Sequence, residues 1–287
     1  MTHYKLSLTL IALSSALLTQ NLWAQPLKVS RFLAQPDHFG VTSALIEGEH
    51  EVLLVNAQFS KSEALRLAAN ILDSGKTLNT IFVSYGDPDY YFGLDVLTHY
   101  FPNAKVIATP ETVKHIQDTQ ALKVKYWSPM MGSNAPDQII VPQAYSAKTL
   151  NFENEKIEIK GTDELTYLWI PSAKAIVGGI AVSSGIHLWM ADTPTTKDRA
   201  AVVQTLESMK ALQPAIVIPA HMAPNAPQGL SAVNFSIDYL KQYEKAVKNT
   251  KNAKQLTQQM QAKYPKLQEL SSLDLGAKVV KGEMKWP

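Results

Sequence analysis

The chain has 287 residues, with 27 Lys and Arg against 25 Asp and Glu and a net charge of +2. No long basic run is present, so the electrostatic footprint of a nucleic-acid-binding protein is missing. There is no cysteine, which excludes disulfides, thiolate metal ligands and a cysteine nucleophile.

The first 24 residues, MTHYKLSLTLIALSSALLTQNLWA, place Lys5 ahead of an uncharged apolar run, Leu6–Leu18, and end on a small residue before Gln25. That is the pattern of a secretory leader, and the run is short for a membrane anchor of about 20 residues. It predicts cleavage near Ala24 and a periplasmic or secreted mature chain, residues 25–287. That chain would be one domain with a helical C-terminal tail and no membrane span.

Along that chain, β-rich runs at 39–46 and 51–55 flank EGEH and predict a hairpin. SKSE at 60–63 is a capping-box pattern, and the helix it opens is expected to bury Leu65, Ala68, Ala69 and Leu72. TIFVS (80–84) is a short buried strand. Leu94, Leu97 and Phe101 stripe the next helix. AKVIAT is another strand, and Thr109 and Pro110 open a helix through Val113 and Ile116. The Pro- and Gly-containing stretch 126–146 reads as a long surface loop. TLNFENEKIEIKG predicts a hairpin turning at Asn154 and Glu155, and LTYLWI and KAIVGGIAV predict two further strands. Thr195 caps a helix with Val202, Leu206 and Met209 on one face. AIVIPAH is a buried strand ending at His221, and a helical tail begins near Ser231.

The chemistry-bearing stretch is FVSYGDPDYYFGLDVL, residues 82–97. An apolar strand leads into a polar turn and then a helix start, which is how a metal site at a strand end is laid out. Yet the turn holds no His and no Cys. Asp87 and Asp89 flank Pro88 and could face one ion, or each could bond backbone amides in a solvated turn. His221, at a strand end, is either a hydrogen-bonded core residue or a site residue. His187 and Asp192, in IHLWMADT, could bring further ligands or belong to a core segment. His50, His99 and His115 look like surface positions. No Gly-rich phosphate loop is present.

VSYGDPDYYFGLDVLTHYFPNAKVIATPETV, LTYLWIPSAKAIVGG and ALQPAIVIPAH resemble the metallo-β-lactamase superfamily in element order. The family motif His-x-His-x-Asp-His falls on Tyr85, Asp87, Asp89 and Tyr90. Asp163 or Glu164 lies nearest the next family His, Gly179 stands at the bridging Asp, and His221 is the final His. The resemblance implies an α/β fold, the αββα four-layer sandwich, with a zinc hydrolase site at one edge. Metal ligands would come from Asp87, Asp89, His221, His187 and Asp192, and Asp89, Tyr85 and Tyr90 would take catalytic roles. Because only Asp89 and His221 are retained, the reading is one zinc or other divalent ion, or none. The substrate would be a small ester, lactone, amide or phosphoester. The alternative is a non-catalytic protein of this fold that binds a small molecule or a partner.

Overall fold

The computed structural model describes residues 27–35 and 38–286; the leader reading falls outside them. The strands, in chain order, are β1 (Lys28–Leu33), β2 (Thr42–Glu47), β3 (Glu51–Val55), β4 (Thr77–Val83), β5 (Lys105–Ala108), β6 (Gln143–Ala144), β7 (Thr149–Phe152), β8 (Glu155–Lys160), β9 (Tyr167–Ile170), β10 (Ala175–Val177), β11 (Ser183–Ser184), β12 (Ile216–Val217) and β13 (His221–Met222). The helices are α1 (Lys61–Asp73), α2 (Pro88–Tyr91), α3 (Leu94–Tyr100), α4 (Pro110–Met131), α5 (Thr196–Ala211), α6 (Leu230–Asn249), α7 (Ala253–Lys263) and α8 (Leu270–Val280).

One sheet runs β1-β2-β3-β4-β5-β6 and the other β12-β10-β9-β8-β7. The first is antiparallel from β1 to β3 and parallel from β3 to β6. Ile46, Leu53, Val55 and Phe82 meet Ile157, Ile159, Leu168 and Val177 between the sheets. The opposite face of the first sheet, with Leu54, Ile81 and Val83, packs on Leu67, Ile71, Leu94, Leu97 and Ile116 of the helices. The outer face of the second, with Tyr167, Ile176 and Val217, packs on Leu206, Ile237, Leu240, Leu256 and Leu273. Two sheets buried on both faces, with helices outside each, make the expected αββα four-layer sandwich.

Three local expectations are corrected. Helix α1 buries Ala64, Leu67, Ala68 and Ile71, while Leu65 and Leu72 are 45% and 56% exposed. The i, i+3, i+4, i+7 set beginning at Ala64 is the face that meets the sheet. Residues 126–131 are the end of α4, not loop; Pro129 sits in the last turn, where it interrupts little of the ladder, and Gly132 at φ +56° ends the helix. The β7–β8 turn is Glu153-Asn154, both left-handed at φ 44° and 68°, one residue earlier than expected. Phe152 pairs with Glu155.

Ser84 holds the sheets in register beside the site. Its hydroxyl and amide both donate to Asn56 Oδ1, at 2.8 and 3.0 Å. The same hydroxyl accepts from the Gly179 amide at 2.8 Å, and the Ser84 carbonyl accepts from the Thr166 hydroxyl at 3.1 Å. The buried end of β4 is thereby fixed to β3 on one side and to the second sheet on the other.

Candidate functional site

Tyr85, Asp87, Asp89 and Tyr90 follow β4 directly, in the turn and in the single-turn helix α2. Pro88 at the first helical position sets the φ that lets Asp87 remain extended just before it. His221 comes from β13, which pairs with β11 and meets Val41 through an isolated bridge. Of the sequence-predicted residues, Asp89 and Tyr90 meet His221. His221 Nε2 lies 3.1 Å from Asp89 Oδ2 and 3.2 Å from the Tyr90 hydroxyl, and its Nδ1 is 3.0 Å from the Phe39 carbonyl.

Asp87 meets a residue the sequence did not single out. The ammonium of Lys123 is 3.1 Å from Asp87 Oδ1 and 3.4 Å from Asp192 Oδ1, and Lys123 is only 2% exposed. Asp192 also accepts from Trp286 Nε1 at 2.8 Å and from Trp189 Nε1. The Lys123 ammonium stands 4.9 Å over the Trp286 ring, close enough for a cation–π contact. On the other flank, His115 Nδ1 pairs with Glu164 Oε1 at 2.9 Å and its Nε2 lies 3.8 Å from Asp87 Oδ1. That Asp87 oxygen is within ion-pair range of both cations yet outside hydrogen-bond geometry to either.

His115 is thus not a surface residue. Room for it comes from Gly86, where a Cβ would sit 2.5 Å from the imidazole ring. Gly179, at the position where the resemblance implies a bridging Asp, has φ +74°, and a Cβ there would lie 2.6 Å from the Thr166 carbonyl. No acidic side chain fits at that point. Asp192, on the irregular segment before α5, meets Lys123.

Charge states follow from the neighbours. Burial raises the Asp87 carboxyl, but His115, Lys123 and Asp192 outweigh it and hold Asp87 down to about 2. Burial and the neighbouring Asp87 push Asp192 up to about 7. The neighbouring carboxylates of Asp87 and Glu164 raise His115 to about 10. Burial pulls Lys123 down, yet Asp87 and Asp192 more than reverse it. His221 is raised in the same way, with Asp89 overcoming burial. Burial drives Tyr85 and Tyr90 well above the usual phenol value, helped by Asp87 and Asp89 respectively.

These residues do not fit a zinc ion. Zinc takes neutral imidazole, thiolate or carboxylate lone pairs. Here His115 is engaged by Glu164 and faces Asp87, and His221 is engaged by Asp89 and the Tyr90 hydroxyl. His187 is neutral, lowered to about 4 by burial; it lines the cleft wall, with its Nδ1 on the Tyr239 hydroxyl at 2.9 Å. The Asp87–Asp192 gap already holds an ammonium. Among the described residues no group of three or more His, Asp or Glu could hold a metal ion.

Asp87, Asp89, Lys123 and His221 line a half-open cleft. Its walls are aromatic, with Phe39, Phe59, Trp127, Trp189 and Trp286 foremost. Phe59 meets Trp127 edge-on at 5.3 Å, and Trp189 meets Trp286 edge-on at 5.1 Å.

A strand-end site at the edge of an αββα sandwich defines the metallo-β-lactamase fold, and solved structures agree. The chain superposes on a metallo-β-lactamase family protein from Thermus thermophilus with a TM-score of 0.63 at 14% identity, covering 89% of this chain and 91% of that one. A β-lactamase domain protein from Burkholderia ambifaria gives 0.63 at 12%, covering 90% and 86%. The DIM-1 metallo-β-lactamase exposed to ceftazidime gives 0.51 at 14%, covering 76% and 98%. No protein-family profile and no curated protein matches the sequence. At these identities the likeness is one of fold: the chain has the metallo-β-lactamase fold.

Proposed function

We propose that this chain is a metal-independent small-molecule-binding protein built on the metallo-β-lactamase fold, and that its ligand is a small aromatic or apolar molecule taken into the tryptophan-walled cleft. The observation that carries this reading is the pairing of aromatic walls with a self-neutralised floor. Asp87 and Asp192 are compensated by Lys123, and Asp89 by His221. A concave, mostly apolar site with a few convergent polar groups is the usual form of a small-molecule pocket.

The hydrolase reading would need a metal-activated water, and the donors for such a metal are engaged with one another. We therefore assign no hydrolytic step and no zinc. Three of the chain's five tryptophans line the cleft, so intrinsic fluorescence reports on occupancy. Mature protein in chelator-treated buffer would be titrated with naphthalene and indole derivatives carrying a neutral, carboxylate or ammonium group. Saturable quenching, unchanged by EDTA and weakened by Trp127→Ala, is the expected result. Turnover of p-nitrophenyl esters that vanishes with chelator and returns with zinc would instead establish the hydrolase.

A further inference from the structure

The floor of the cleft contains a lysine where a charged residue is costly. Lys123 lies seven residues after Ile116 and four before Trp127, on the face by which α4 packs inward. An ammonium taken out of water costs several kcal/mol unless it is paired. Here the pairing is supplied twice over, by Asp87 from the turn after β4 and by Asp192 from the segment before α5, with the Trp286 ring on a further side. Conversely, two neighbouring buried carboxylates cannot both ionise without a cation between them.

We infer that Lys123 is the resident cation of this cleft: its ammonium fills the position between Asp87 and Asp192 that a divalent ion would occupy, and removing it converts the pair into a divalent-cation site. The steric argument is direct. A divalent ion binds carboxylate oxygens at about 2.0–2.6 Å, so it would need to stand between the two oxygens that Lys123 Nζ now approaches at 3.1 and 3.4 Å. The electrostatic argument points the same way, because an ion entering beside a fixed ammonium meets like charge in a poorly screened interior. Without that ammonium, Asp87 Oδ1 would keep only His115 Nε2, 3.8 Å away, and Asp192 would keep only its two indole donors, so the two carboxylates would face each other with one positive charge fewer. Oxygen donors of this kind suit manganese and magnesium and also accept zinc. The inference concerns the same cleft but does not depend on what the cleft binds.

The test measures zinc and manganese affinity, each metal alone, by chelator competition on the purified protein. Lys123→Met and Lys123→Ala should bind at least tenfold more tightly than wild type, about 1.4 kcal/mol, and Lys123→Arg, which keeps the charge, should show no gain. The gain should disappear in Lys123→Met combined with Asp192→Asn, which locates it. Metal should also raise the unfolding temperature of Lys123→Met and leave wild type unmoved. Wild type binding either metal as tightly as the variants, a folded variant with no gain, or a gain that survives Asp192→Asn would each overturn the inference. If both neutral variants fail to fold alone, refolding with metal decides: recovery supports the resident-cation role, and failure with metal present refutes it.

Discussion

His115 and Lys123 reach the same Asp87 carboxylate from one helix, eight residues apart, and they are bound to it differently. Lys123 is buried between two acids, whereas His115 is a bridge, with one ring nitrogen toward Asp87 and the other on Glu164. Its folded value, about 10, lies above the ordinary imidazole value of 6.5. A group whose folded value is raised adds stability that is fully present below the unfolded value and is lost as pH climbs through the folded one. Wild type should therefore be more stable than His115→Gln by on the order of 2 kcal/mol below about pH 6.5, as for a hydrogen bond to a charged group. The gap should shrink between about pH 6.5 and 10 and close above that. Urea midpoints for the two proteins at half-unit pH steps measure it directly. A gap that widens with rising pH would mean that His115 is neutral in the fold and that its two carboxylate contacts are incidental.

At the scale of elements, α1 shows how a correct helix can be given the wrong face. Its capping serine, Ser60, accepts from the Glu63 amide at 3.3 Å, so the start was legible. Leucines and alanines lie on both sides of the helix, however, and the sheet beneath chose between them. Leu67→Ala, at a fully buried position, should cost about 2–5 kcal/mol, while Leu72→Lys should stay within about 0.5 kcal/mol of wild type. Thermal unfolding of the two variants separates the faces, and equal losses would contradict the burial. The same division between local and distant information governs the site. Strand ends, turns and caps are local, so the convergence of Asp89 with His221 could be anticipated from the frame. Lys123 could not be paired from its neighbours in the chain, because Asp192 is 69 residues away and a lone lysine in a helix ordinarily reads as solvated. The available clue was its helical phase, on the stripe of Val113, Ile116 and Trp127. His115 was misplaced for a related reason: the space it fills exists only because residue 86, on another element, has no side chain.

Two features concern the whole molecule. No helix among the described residues is long and apolar enough to cross a membrane. The Lys5 and Leu6–Leu18 pattern leads us to propose that residues 1–24 are removed on export; mass spectrometry of the exported form should find an N-terminus at or near Gln25, and a retained Met1 would contradict this.

The second feature is the path of the chain after α8. It returns across the molecule so that Trp286 touches Tyr126 and Trp127 of α4 on one side and Trp189 on the other. Its indole N–H donates to Asp192. One side chain therefore ties the helix layer of the first sheet to the segment that precedes α5, and it forms part of the cleft wall. Trp286→Phe keeps a ring over Lys123 but loses the N–H, which should cost about 1 kcal/mol, the net worth of one hydrogen bond. Trp286→Ala removes both and opens the wall. It should cost more than the Phe variant and should weaken binding of the naphthalene and indole probes at least tenfold, about 1.4 kcal/mol, with Trp127 and Trp189 still available to report by fluorescence. If Trp286→Ala instead tightens probe binding, the tryptophan is a plug that competes with the ligand, and the cleft of this structure is the closed state of the site.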